Sequence, residues 1–306
     1  MSPTRSLLSS VRGAGDPATD TGWVGHPPRV GFFTDTSICI GCKACEVACK
    51  EWNQIPDDGF NFTGMSFDNT GGLGADTWRH VAFVEQRRPV TVASPPAGSG
   101  PSVVEASGST AAKPGTAGEL RWLMASDVCK HCTDAGCLDV CPTGALFRSE
   151  HGTVVVQQDV CNGCGYCVSA CPFGVIAQRK GDGRVWKCTL CYDRLEVGME
   201  PACAKTCPTD SIQFGPLDEL RVRADQRVTE LHAAGVGDAR LYGHDPADGV
   251  GGAGAFFLLL DDPEVYGLPP DPVVTTRDLG RMWKRAALSA AGLLAGVLAL
   301  GIGGRR

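Results

Sequence analysis

Apolar positions along this chain fall in short bursts, broken by glycine, proline and polar residues. TWRHVAFVEQ (77–86) reads as a strand, TVVVQQ (153–158) as a short one, and AFFLLL (255–260) as a buried one. LDELRVRADQRVTELHAAG (217–235) changes period: Leu217, Leu220, Ala224, Val228 and Leu231 follow helical spacing, Pro216 starts the helix and Gly235 stops it. After Arg281, Lys284 and Arg285 come nineteen uncharged residues, 286–304. As a helix they would be about 28 Å long, close to the ~30 Å hydrocarbon core of a bilayer. Basic residues flank both ends, and Gly292 and Gly296 would let another helix approach closely. The pattern predicts a single C-terminal transmembrane helix packed on a partner. The competing reading is a buried helix in a soluble complex.

The pattern divides the chain. Residues 1–30 are polar and are expected to be a flexible N-terminus. Residues 31–216 hold every cysteine, interrupted by the low-complexity stretch 91–118, expected to be a disordered insertion. Residues 217–280 form a helix and strand extension, and 281–306 the C-terminal helix with its flanks. Forty glycines and twenty prolines among 306 residues mean many turns and few long helices. The expected fold class is α+β and loop-rich. A net charge of −6 argues against a nucleic-acid partner. The N-terminal residues show no apolar run of secretory type and no paired arginines, so export would require a partner's signal.

Sixteen cysteines change the picture. They fall in four groups of four: Cys39, Cys42, Cys45, Cys49; Cys129, Cys132, Cys137, Cys141; Cys161, Cys164, Cys167, Cys171; and Cys188, Cys191, Cys203, Cys207. The first and third have the spacing C-x2-C-x2-C-x3-C of bacterial ferredoxins. Two-residue spacers let three thiolates wrap one cubane. Gly41, Gly163 and Gly165 let the backbone turn tightly beside the sulfurs. The fourth cysteine, followed by Pro142, Pro172 or Pro208 in three groups, sits where the chain leaves the loop, and in two-cluster ferredoxins it ligates the other cluster. Groups two and three make a plausible exchanging pair, which leaves groups one and four for each other. Disulfides and structural zinc fit less well: C-x2-C loops close poorly as disulfides, and zinc favours two separated pairs.

Other signals are weaker. Lys43, Lys130, Lys187 and Lys205 stand beside cysteines as counter-charges or as solvated lysines. GVGGAG (249–254) matches a dinucleotide fingerprint but precedes an apolar run, and reads as a flexible turn. His131 is expected to be a local hydrogen-bond donor. NFT (61–63) fits a glycosylation acceptor. No P-loop, zinc-protease motif or nucleophile elbow occurs, so no substrate-converting site is expected.

The four runs in this order, with CKHCTDAGCLDVCP, CNGCGYCVSACPFGV, KCTLCYDRLEVGMEPACAKTCPT and YGHDPADGVGGAGAFFLLLDDPEVYGLP, resemble the iron–sulfur (beta) subunits of respiratory formate dehydrogenases. These lie within the four-cluster electron-transfer subunits of molybdopterin oxidoreductases. The resemblance implies two ferredoxin-like halves with four [4Fe–4S] clusters. It assigns Cys39, Cys42, Cys45 and Cys207 to a first cluster; Cys188, Cys191, Cys203 and Cys49 to a second; Cys129, Cys132, Cys137 and Cys171 to a third; and Cys161, Cys164, Cys167 and Cys141 to a fourth. It implies a molybdopterin-containing catalytic alpha subunit and a membrane cytochrome b gamma subunit. This chain would be a non-catalytic, single-pass subunit between them, its globular part on the outer face, although the basic residues before the tail favour the inner face. The alternatives are a soluble or peripheral electron-transfer subunit of a hydrogenase, formate lyase or other molybdopterin complex, and a zinc scaffold.

Overall fold

A computed structural model describes residues 16–59, 62, 64, 67–88 and 119–303. The strand Val30–Asp35 lies inside a four-stranded sheet. It runs antiparallel to Ile212–Pro216 and parallel to Ala255–Leu259, whose other edge takes Arg240–Tyr242. Side-chain alternation gives this sheet two different faces. Phe33, Phe256 and Leu258 pack with Leu217, Leu220, Ala224 and Leu231 of the helix Leu217–Ala233. Phe32, Ala255 and Ile212 pack instead among Cys45, Cys49, Cys129, Cys188 and Cys203. Full burial of each such aromatic or leucine side chain contributes about 1.5–3 kcal/mol. The sheet is therefore a partition, with an apolar helix layer on one side and the cysteines on the other.

The expected strand at 77–86 is observed as Arg79–Arg88, paired antiparallel with Glu119–Val128 from Arg79 opposite Val128 to Arg88 opposite Glu119. Val154–Val156 pairs with Leu146–Arg148, and Ala177–Gln178 with Val185–Trp186, giving two small hairpins beside the middle cysteine runs. The helix and buried strand expected at 217–235 and 255–260 are Leu217–Ala233 and Ala255–Leu259. The low-complexity stretch 91–118 lies outside the described residues, as does most of NFT.

Three expectations are corrected. The C-terminal helix, Leu279–Gly303, does form, but among the described residues no helix is long and apolar enough to cross a membrane. Arg281, Lys284 and Arg285 occupy its first turns, and the uncharged helical residues that follow, 286–303, reach about 27 Å, short of the ~30 Å core. The single-pass anchor is therefore withdrawn. Residues 16–29 are not loose: Pro17–Asp20 is a helical turn capped by Asp16, Trp23 Nε1 donates to Arg148 O at 2.8 Å, and Arg29 reaches Thr133 Oγ1 and His131 O at 2.7 and 2.9 Å. The glycine stretch 249–254 is not a flexible turn. Its Gly252 and Val250 carbonyls accept from Thr133 N and Asp134 N, and a Cβ on Gly249 would lie 2.1 Å from Pro272 O. It braces the second cysteine loop.

Candidate metal centres

Each cysteine run folds as a turn followed by a helical segment. The residue before the second cysteine has positive φ in all four: Gly41 (66°), His131 (44°), Gly163 (71°) and Leu190 (60°). That left-handed step swings the first two thiols toward one point. The third cysteine lies in the helical segment in each run: Cys45 in Ala44–Trp52, Cys137 in Gly136–Asp139, Cys167 in Tyr166–Ser169 and Cys203 in Ala202–Lys205. The fourth follows four residues later, one helical turn on.

One turn is enough to carry the fourth thiol out of its own group. Cys39, Cys42 and Cys45 line a cavity completed by Cys207. Cys129, Cys132 and Cys137 line a second completed by Cys171, and Cys161, Cys164 and Cys167 a third completed by Cys141. The free space in these is about 310, 380 and 270 Å³ respectively. Cys188, Cys191 and Cys203 are the charges that bear most on Cys49. Twelve of the sixteen predicted residues thus line three cavities in sets of four, and the remaining four are linked by the charges that act on Cys49. None is in a disulfide. Across sets, Cys45 neighbours Cys203, Cys188 neighbours Cys129, and Cys137 neighbours Cys167.

The electrostatics suit a metal cluster. Burial pushes the Cys45 thiol up to about 11, against the pull of Arg79 and Ser126. Burial likewise lifts Cys137 to about 12 despite Lys187, with Cys129, Cys171 and Cys167 adding to it. Burial and then the Cys188, Cys203 and Cys191 thiolates drive Cys49 well above the ordinary thiol range. Four crowded, desolvated thiols resist ionising alone, and iron replacing their protons removes that cost. Four soft thiolates around one space are the donor set of an iron–sulfur cubane. Among the described residues no three His, Cys, Asp or Glu groups are arranged to hold a single metal ion.

The lysines beside cysteines divide. Lys130 and Lys187 are buried and line the same cavity as Cys129, Cys132, Cys137 and Cys171. Lys130 pairs with Asp127 and lies over the Phe173 and Phe257 rings, whereas Lys187 donates to the Val154 and Cys188 carbonyls. Lys43 lines the first cavity and pairs with Glu46 and Asp68. Lys205 is 72% exposed and pairs with Glu200, a solvated lysine. His131 Nδ1 accepts from Val154 N at 3.1 Å, which leaves the ring proton on Nε2. That atom is buried at the second cavity with no protein partner among the described residues, so in the ring hydrogen bond it makes His131 is the acceptor, not the local donor expected.

Several residues around the sulfurs escape sequence reasoning. Arg79 is fully buried, and Cys203, Cys45, Cys188 and Cys49 all act on it. Ser126 Oγ lies 3.2 Å from Cys45 Sγ. Leu190 N donates to Cys188 Sγ at 3.3 Å, and Asn53 Nδ2 lies 3.8 and 3.9 Å from Cys49 and Cys191. Thr143 and Thr209 place hydroxyls 3.7 and 3.8 Å from Cys141 and Cys207. Only these last two had a readable signal, the repeated Cys-Pro-Thr.

Known proteins place these features in context. Residues 38–145 and 120–217 each match a family described as a 4Fe-4S dicluster domain. The nitrate-inducible formate dehydrogenase iron-sulfur subunit of Escherichia coli (strain K12) is 42% identical over 276 residues, covering 88% of this chain and 82% of the relative. The formate dehydrogenase iron-sulfur subunit of Haemophilus influenzae is 41% identical over 281 residues, covering 90% and 79%. The B subunit of the anaerobic dimethyl sulfoxide reductase of Escherichia coli (strain K12) is 34% identical over 198 residues, covering 63% and 76%.

Proposed function

The chain belongs to the family of formate dehydrogenase iron–sulfur subunits, and from that premise we propose how it serves as the electron-transfer subunit of such an enzyme. It carries four [4Fe–4S] clusters. When bound, each cluster supplies one-electron reduction and reoxidation, with no substrate bond made or broken. The chain's residues hold, space and electrostatically tune these carriers, and it is not itself catalytic. Cys39, Cys42, Cys45 and Cys207 hold the first cluster, and Cys188, Cys191, Cys203 and Cys49 the second. Cys129, Cys132, Cys137 and Cys171 hold the third, and Cys161, Cys164, Cys167 and Cys141 the fourth. A molybdopterin-containing catalytic subunit delivers electrons to one end of the line, and a cytochrome b subunit accepts them from the other.

One observation supports this reading most: in three cavities, three thiols of one run meet the fourth thiol of another, and Cys188, Cys191 and Cys203 act on Cys49 in the same exchanged way. A line of carriers with exposed residues at its terminal sets suits passage between two partners. Cys42 is exposed at the first set and Cys164 at the fourth. The likeness to the dimethyl sulfoxide reductase subunit covers less of this protein, so formate is the favoured donor. Formate added anaerobically to the assembled complex should reduce the clusters of this chain, read as paramagnetic signals. A complex whose catalytic subunit turns over formate with an artificial acceptor, yet leaves these clusters oxidised, contradicts the reading.

A further inference from the structure

Arg79 is the largest fully buried side chain, 2% exposed, at the start of the strand Arg79–Arg88. Burying a guanidinium is costly unless an anion or good acceptors replace water. Here the protein provides only part of that replacement. Arg79 NH1 donates to Ser126 O and Oγ at 3.2 and 2.9 Å, and the guanidinium packs 4.8 Å from the centre of the Phe32 ring. Its Nε and NH2 are buried with no hydrogen-bond partner among the described residues. No carboxylate forms an ion pair with it among those residues. The anionic groups that act on it are thiols: Cys203 first, then Cys45, Cys188 and Cys49.

Those four thiols belong to two sets. Cys45 lines the first cavity, whereas Cys49, Cys188 and Cys203 belong to the second set. Ser126 ties Arg79 to the first set in a defined way. Its hydroxyl accepts from the guanidinium, so its own proton is free to point to Cys45 Sγ, 3.2 Å away. Each link in such a chain polarises the next. The unpartnered N–H groups leave three or fewer donors for acceptors that the polypeptide does not supply.

We infer that Arg79 is a shared electrostatic control between the first two clusters, raising the reduction potential of one through Ser126 and Cys45 and of the other by its own charge and free N–H groups. This rests on the four-cluster reading above. Adding an electron makes a thiolate-bound cluster more negative, and a fixed buried cation favours that state. One cation acting on both carriers offsets part of the negative charge that each gains on reduction. At the fourth set, the charges that act most on Cys167 are other cysteines.

The test is redox-titrated electron paramagnetic resonance of the whole complex, with iron quantified for each variant. Arg79→Gln should retain its iron, and two of the four midpoint potentials should fall by a tenfold change in equilibrium constant or more, about 59 mV for one electron. The other two should hold, which a general loosening of the fold would not give. Arg79→Lys, keeping the charge, should fall less. Four unchanged potentials in an iron-replete Arg79→Gln complex overturn the inference. If that variant fails to load iron, Ser126→Ala decides: one potential falls and three hold, and four unchanged potentials again overturn it. A wild-type complex without iron would sink the four-cluster reading itself, an outcome separate from these.

Discussion

At the scale of the residue, the turn in each run sets how well three thiols converge. The second residue after the first cysteine has positive φ in every run, and only Gly41 and Gly163 adopt it without a side-chain penalty. His131 and Leu190 take it at a cost of about 1–2 kcal/mol, offset by what their side chains do. His131 accepts from Val154 N, and Leu190 is wholly buried in the core that contains Cys188. At Gly163 there is no such offset, because an added Cβ would also lie 2.6 Å from the Gly183 carbonyl oxygen. Gly163→Ala should cost about 1–3 kcal/mol by overpacking, measured by denaturant unfolding of the reconstituted protein. Its spectral loss should be confined to the set Cys141, Cys161, Cys164 and Cys167. The need for glycine was legible in the two runs that have it. In the other two the same conformation is imposed by tertiary contacts from Val154 and the central core, which lie outside any local pattern. Arg79 was illegible for a related reason: an arginine opening a strand looks like any solvated arginine until Ser126 of Glu119–Val128 and Phe32 of Val30–Asp35 close over it.

At the scale of the element, a helical segment divides each run between two sets. Ala44–Trp52 holds Cys45 and Cys49 one turn apart, yet Cys45 lines the first cavity and Cys49 sits among Cys188, Cys191 and Cys203. The helix Ala202–Lys205 returns the favour, because Cys207 just beyond it completes the first cavity. These two helices pack directly on one another. Local spacing therefore fixes three ligands of each set and leaves the fourth to the pairing of distant segments, about 140–170 residues apart in the first two sets and about 20–40 in the other two. Cys207→Ser tests this exchange. Iron should fall from about sixteen toward about twelve to fifteen per chain, and the altered signal should belong to the set of Cys39, Cys42 and Cys45. The matching result from Cys45→Ser would show the same signal altered. If Cys207→Ser instead alters the signal that Cys188→Ser alters, the exchange is wrong. Secondary structure is more legible than this pairing. The amphipathic helix 217–235 and the buried run 255–260 carry their own periodicity, whereas the parallel pairing of Ala255–Leu259 with Val30–Asp35 has no local signal. The C-terminal segment shows the converse error: its uncharged tail is close to spanning length, yet among the described residues no helix is long and apolar enough to cross a membrane.

At the scale of the whole molecule, one four-stranded sheet separates a helix layer from a row of thiol sets, and the first and last thirds of the chain meet in it. That closure holds the row in place: Phe32 packs on Arg79, and the glycine stretch before Ala255–Leu259 braces the loop of His131 and Thr133. Buried cations lie along the row, Arg79 between the first two sets and Lys187 acting on both Cys188 and Cys137 of the second and third. We propose that sixteen thiols hold four cubanes in one electronic line. Iron and acid-labile sulfide counted on anaerobically purified complex, with paramagnetic spectra recorded after dithionite reduction, test that most directly. About sixteen of each per chain, with spectra broadened by coupling between neighbouring reduced clusters, is the predicted result. Zinc in place of iron, or far fewer irons with isolated, uncoupled signals, would contradict it.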